Sequence, residues 1–174
     1  MKYKIKDLII IALFAALIGV SAYIIIPIPF SPVPITAQTL IVMLTGCILG
    51  VMHSATTLLI FLLLGAIGLP VFSKGQSGFG TILGPTGGYL IGFLIAAVVI
   101  SLLTKNKNSY KRYLTANVIG GIFVIYTIGV IWLSISSDIG IKKAFFVGAV
   151  PFIPGDILKV IFASFLAKKL KKYI

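Results

Sequence analysis

The chain has 174 residues, 59% of them hydrophobic and only 10% charged, which excludes an ordinary soluble domain. A net charge of +12 would suit a nucleic-acid partner, but the basic residues gather just outside long apolar runs, as in membrane topology. The single cysteine, Cys47, offers no disulfide framework or metal site and reads as a small packing residue.

No Lys, Arg, Asp or Glu occurs from Leu8 to Ser73, from Gly75 to Thr104, or from Tyr113 to Ser137. Each run exceeds the ~20 apolar residues that cross a bilayer, so the chain is a polytopic membrane protein. Lys2, Lys4 and Lys6 ahead of an apolar run imitate a signal peptide, but residues 8–26 are longer than a typical signal core and more spans follow. They make the first span. Ala12 and Ala16 share one face of it, a spacing that permits close helix–helix contact in lipid.

Residues 27–35 form an outer loop with four prolines between Pro27 and Pro34, which excludes helix. Thr36, Gln38 and Thr39 open the next helix with polar side chains. The apolar stretch from Ile35 to Leu69 is one over-long span or two short ones, and charge counting decides for two. Dividing it into spans over 36–50 and 53–69 leaves the clusters Lys2/Lys4/Lys6, Lys105/Lys107/Lys111/Arg112 and Lys168/Lys169/Lys171/Lys172 on one side, the cytoplasm. His53 then sits in a short cytoplasmic turn, solvated or facing a partner.

The outer loop 70–85 is glycine-rich and carries Lys74, Gln76 and Thr81. Its end runs through Thr86, Gly87, Gly88 and Tyr89 into the fourth span, 86–104. The two glycines allow close backbone approach, by a neighbouring helix or by a ligand. No Walker sequence occurs anywhere, so no ATPase is visible in the chain. A fifth span covers 113–136. The outer loop 137–152 includes an apolar stretch, Ile141 to Val150, that reads as an interfacial helix, and the sixth span covers 153–170.

That last span opens with Pro151-Phe-Ile-Pro-Gly-Asp-Ile-Leu-Lys159. Pro154 suits the first position of a helix. Asp156 falls in the first turn, at the positive end of the helix dipole. Lys159 follows at i+3 on the same face, roughly 5–6 Å away at Cβ. A capped helix start whose charges neutralise each other is the plain reading. An ionisable pair at membrane depth, however, costs about 2.5–3.5 kcal/mol per charge on insertion scales and marks a pathway or ligand site. Six spans with both termini inside bring the proline loop, the glycine loop and this pair to the outer face. That convergence favours a ligand site.

The chain resembles the BioY family of biotin-binding substrate-capture proteins of energy-coupling factor (ECF) transporters. The resemblance rests on Ser31-Pro-Val-Pro-Ile-Thr-Ala-Gln-Thr-Leu40, Gly68-Leu-Pro-Val-Phe72, Gly84-Pro-Thr-Gly-Gly-Tyr-Leu90 and Pro151-Phe-Ile-Pro-Gly-Asp156 with Lys159. It implies an all-α integral membrane protein of six transmembrane helices, with the S-component bundle and cytoplasmic termini, in a prokaryotic plasma membrane. It also implies capture of biotin and partnership with a membrane scaffold subunit and two ABC ATPases. ATP would be used by those partners, and no cofactor is expected in this chain. By the same resemblance Ala12 and Ala16 dock on the scaffold, and Asp156 and Lys159 contact biotin. Gln38, Thr36, Gln76, Thr86, Gly87, Gly88 and Tyr89 are the secondary candidates. Asp156 suits the ureido N–H donors, while Lys159 suits either the ureido carbonyl or the carboxylate. A same-fold protein for another vitamin and a membrane enzyme using Asp156 are the competing readings. One acid without a nucleophile argues against the enzyme.

Overall fold

The computed structural model describes residues 4–105 and 108–172. Lys2 and Lys107, counted in the basic clusters, lie outside the described residues.

Helix α1 runs Ile5–Ser21, with Asp7 in its first turn accepting a hydrogen bond from the Lys4 backbone N–H at 3.0 Å. The sequence led us to expect helix as far as residue 26. The chain instead turns after Ser21, and Ile25–Ile26 (β1) pairs antiparallel with Ile35–Thr36 (β2), two short strands joined by the proline segment. Pro27 accounts for the extended backbone at Ile26, because the residue before a proline is driven to that conformation. The proline run is therefore the closed end of a hairpin.

Helices α2 (Gln38–Ile48) and α3 (Val51–Ala66) follow, separated by a tight turn at Leu49 and Gly50. The glycine-rich loop is more structured than its composition suggests. It holds a 3-10 turn at Ser73–Gly75 and a short helix, α4 (Phe79–Leu83), and buries Phe72 edge-on against Phe61 at 5.6 Å between ring centroids.

Helix α5 (Gly87–Thr104) packs against α2, α3 and α7. Helix α6 (Tyr110–Asn117) passes through a π-helical segment, Val118–Val124, into α7 (Ile125–Ser136). The π segment gave no sequence signal. Next come α8 (Ile141–Gly148), the expected interfacial stretch, and α9 (Ile153–Leu170), bent 55° from it.

By length and composition, α5 and the continuous 110–136 helix are able to cross a membrane, and α8 with α9 qualify as a bent pair. α2 and α3 are shorter apolar helices. Two buried clusters fill the bundle. One, around Phe61, Phe72, Phe93 and Phe152, lies beneath the proline and glycine loops. The other, around Met43, Cys47, Ile100 and Tyr113, lies toward the end where α9 finishes.

Candidate functional site

Helix α9 starts at Ile153, after Phe152 as N-cap, with Pro154 in its first turn as the sequence suggested. This fixes Asp156 just inside the bundle, with its residue 2% exposed. Lys159 Nζ reaches Asp156 Oδ1 at 2.7 Å, also donating to the Thr39 hydroxyl at 2.9 Å and the Thr36 carbonyl at 2.7 Å. Thr39 Oγ1 donates to Asp156 Oδ1 at 3.2 Å, and the Tyr126 hydroxyl donates to Oδ2 at 2.5 Å. The pair thus ties α9 to α2 and α7.

An ammonium has three donors, and Lys159 has three partners. A carboxylate has about four acceptor positions, of which three are occupied here, so one remains on Oδ2. Beside it stands Gln38, 2% exposed. Its Oε1 accepts from Thr36 Oγ1 at 3.3 Å, which turns the amide nitrogen the other way. Among the described residues, Gln38 Nε2 is the buried side-chain nitrogen or oxygen without a partner. Leaving such a donor unpaired costs about 1–3 kcal/mol. Among the residues lining the site, Asp156 thus keeps one acceptor position and Gln38 one buried donor.

These groups line a pocket whose walls also include Val33 and Pro34 of the proline loop, Ser73 of the glycine loop, and Phe93, Tyr126 and Phe152. Its volume is about 50 Å³, room for a few waters.

Of the residues named from sequence, Asp156, Lys159, Gln38, Thr36, Thr86 and Tyr89 meet in this pocket. The Tyr89 hydroxyl is committed to the Gly148 carbonyl at 2.8 Å, so the ring rather than the hydroxyl is offered. Gln76 is exposed and lines a separate outer cavity of about 430 Å³, which meets the pocket at Thr86. Gly87 and Gly88 do not line the pocket. A methyl on Gly87 would overlap the Ile82 carbonyl, and one on Gly88 would overlap Trp132 Cβ and approach the Ile128 carbonyl at 2.9 Å. Their open space serves packing of α5 against α4 and α7.

Thr39, Ser73, Tyr126, Phe93 and Phe152 are among the lining residues that were not singled out as contacts. Thr39 carried a signal, as a third polar group at the start of α2. The aromatic residues carried none.

Ala12 and Ala16 are exposed on α1, opposite its buried Ile11, Phe14, Ala15 and Ile18. Cys47 does more than fill space. It is buried and donates to Asn117 Oδ1 at 3.3 Å, while Asn117 Nδ2 donates to Ser164 at 3.0 Å, linking α2, α6 and α9. His53 lies half-buried in the first turn of α3.

Long apolar helices around a buried, hydrogen-bonded acid–lysine pair define an α-helical membrane protein with a polar pocket let into one end. Comparison with known proteins gives the lineage. The BioY family profile matches residues 1–174, and the chain belongs to that family. It is 42% identical over 167 residues to the biotin transporter BioY of Thermotoga maritima, covering 96% of each chain. It is 42% identical over 168 residues to a probable biotin transporter BioY of Pyrococcus horikoshii, covering 97% of this chain and 98% of that one. Its fold matches the crystal structure of the S-component for biotin from an ECF-type ABC transporter. The TM-score is 0.92 at 32% identity, over 100% of this chain and 96% of the other.

Proposed function

We propose that this chain captures biotin at the outer face of the membrane and serves as the substrate-binding subunit of an ECF-type importer. The observation that carries the reading is the pairing of spare groups in the pocket. Asp156 Oδ2 keeps one acceptor position and Gln38 Nε2 keeps one donor, within a wall of aromatic rings. Biotin's ureido ring offers N–H donors beside a carbonyl acceptor, and its bicycle offers apolar faces. The names of the full-length relatives support the same ligand.

Lys159 already has three partners, so we assign it to holding Asp156 in place. Gln38 takes the part of the direct donor, toward the ureido carbonyl or the carboxylate. Thr36 orients Gln38, Thr86 stands at the mouth, and the Tyr89 ring covers an apolar face. Gln76 belongs to the approach.

A cavity of about 50 Å³ is too small for a bicyclic ligand, since small-molecule pockets run to about 300–1,000 Å³. The proline and glycine loops supply Val33, Pro34 and Ser73 to its wall, so outward movement of those loops would enlarge it for biotin.

Six spans with cytoplasmic termini fit the arrangement of the ends. Lys6, the α2–α3 turn and Lys171 meet at one end of the bundle, and the two loops meet at the other. The exposed Ala12–Ala16 face supports docking on a membrane scaffold subunit, with two ABC ATPases supplying ATP hydrolysis. Equilibrium binding of biotin, thiamine and riboflavin to the purified chain tests the substrate. Biotin should bind and the other two should not; preference for either would hand the site to another vitamin.

A further inference from the structure

A second cavity, of about 300 Å³, opens at the opposite end of the bundle from the acid–lysine pocket. Three segments remote in sequence build it: Lys6, Asp7 and Ile10 of α1, the α2–α3 turn with His53, and Lys171 just past α9. Lys171 is held in position, its Nζ donating to the Cys47 carbonyl at 2.9 Å and standing 5.5 Å from the centre of the Tyr113 ring. Burial pulls its proton affinity below the ordinary lysine range, with Cys47 acting in the opposite sense. An anion in the cavity would favour the charged form. Asp7, the acid in the wall, is already engaged with the Lys4 backbone N–H at 3.0 Å.

The surroundings are aliphatic. Ile5, Leu8 and Ile9 of α1 and Leu170 of α9 are exposed beside the cavity's lining residues, and Ile10, Ile48 and Leu49 form part of its wall. A small soluble anion has no use for such a rim. A phospholipid has, because its phosphate enters a basic hollow between helices while its chains lie along their apolar sides.

We propose that this cavity binds the phosphate of an anionic phospholipid, with Lys171 and Lys6 as the phosphate contacts. Binding there joins the start of α1 to the end of α9, through a molecule of the leaflet in which both helices end. The site goes beyond the biotin reading and does not depend on it.

Native mass spectrometry of the purified chain with phosphatidylglycerol and phosphatidylcholine tests this, with biotin affinity measured on each preparation. Phosphatidylglycerol should be retained over phosphatidylcholine. Lys171→Gln and Lys6→Glu should each weaken that retention about tenfold, as expected for a lost charge-assisted contact. Asp7→Asn should strengthen it, which a merely destabilising change would not do. Lys6 is exposed, so its variant stands even where Lys171→Gln fails to fold. Lys142→Gln on α8, at the far end, should change nothing. Equal retention of the two lipids, indifference to Lys6→Glu, or displacement of the lipid by inorganic phosphate alone would each overturn the proposal.

Discussion

The Tyr126 hydroxyl donates to Asp156 Oδ2 at 2.5 Å, joining the middle of one membrane helix to the first turn of another. Asp156 is thereby held by a phenol on one oxygen and by Lys159 and Thr39 on the other. Asp156 also lines the pocket, so its carboxylate is fixed by three hydrogen bonds where a ligand would meet it.

The acid–lysine pair gives the first prediction. The capped-helix reading does not hold, since α9 has no side-chain cap. If Asp156 only ties α9 to α2 and α7, its loss costs stability and binding survives in whatever folds. As a ligand contact, Asp156→Asn should weaken biotin binding by about 1.5–3 kcal/mol, or roughly ten- to more than a hundredfold. Lys159→Met should follow it. Tyr126→Phe only releases the carboxylate from one of its guides and should cost less, about 0.5–1.5 kcal/mol. Affinity and thermal stability measured on the same preparations separate the cases. Near-wild-type affinity in Asp156→Asn and Lys159→Met would remove the site.

The pair was legible because any charge inside these apolar runs stands out. Tyr126 was not, since a tyrosine in a hydrophobic span looks like any other core aromatic until its hydroxyl finds a partner. The same limit applies to the loops. Prolines show that 27–34 is not helix, yet the pairing of Ile25 with Thr36 depends on two segments meeting across them. Gly87 and Gly88 announced close approach without saying to what; Ile82 and Trp132 supply the answer. Likewise, nothing in Val118–Val124 distinguishes a π turn from α-helix, because both bury the same apolar side chains.

Gln38 should separate stability from function. Its Nε2 is a buried donor without a partner. Replacing Gln38 by Leu removes that unpaired group, whose burial costs about 1–3 kcal/mol, so Tm should hold or rise. Biotin affinity should fall, since the spare donor is gone. A fall in Tm with affinity intact would mean that Gln38 supports the fold and not the ligand.

Gly88→Ala should do the reverse. The added methyl meets Trp132 Cβ where α5 crosses α7, and overpacking of that kind costs about 1–3 kcal/mol. Thermal stability should drop while the protein that remains folded binds biotin normally. A selective loss of affinity at unchanged Tm would return Gly88 to the list of ligand contacts.

Topology is testable with single cysteines at Lys105 and Lys142, both exposed, in a Cys47→Ala background. Membrane-impermeant reagent applied to whole cells should label position 142 and spare position 105. Labelling of both from outside would break the six-span arrangement, because the basic clusters would no longer share the cytoplasm.

The proposed scaffold face carries the last prediction. Ala12 and Ala16 lie one turn apart on the exposed side of α1, while the opposite side is buried against α2 and α3. Small residues four apart let two helices come close enough for backbone contact in lipid, where no hydrophobic effect drives them together. Tryptophan at either position would hold a partner helix away without disturbing the core, since neither residue is buried. Ala12→Trp and Ala16→Trp should therefore keep biotin affinity and Tm near wild type. Recovery of the chain with its scaffold subunit in a pull-down should drop sharply, and ATP-driven uptake with it. Undiminished recovery would move the docking surface to another part of the bundle. Loss of biotin binding would show that this face of α1 reaches the pocket.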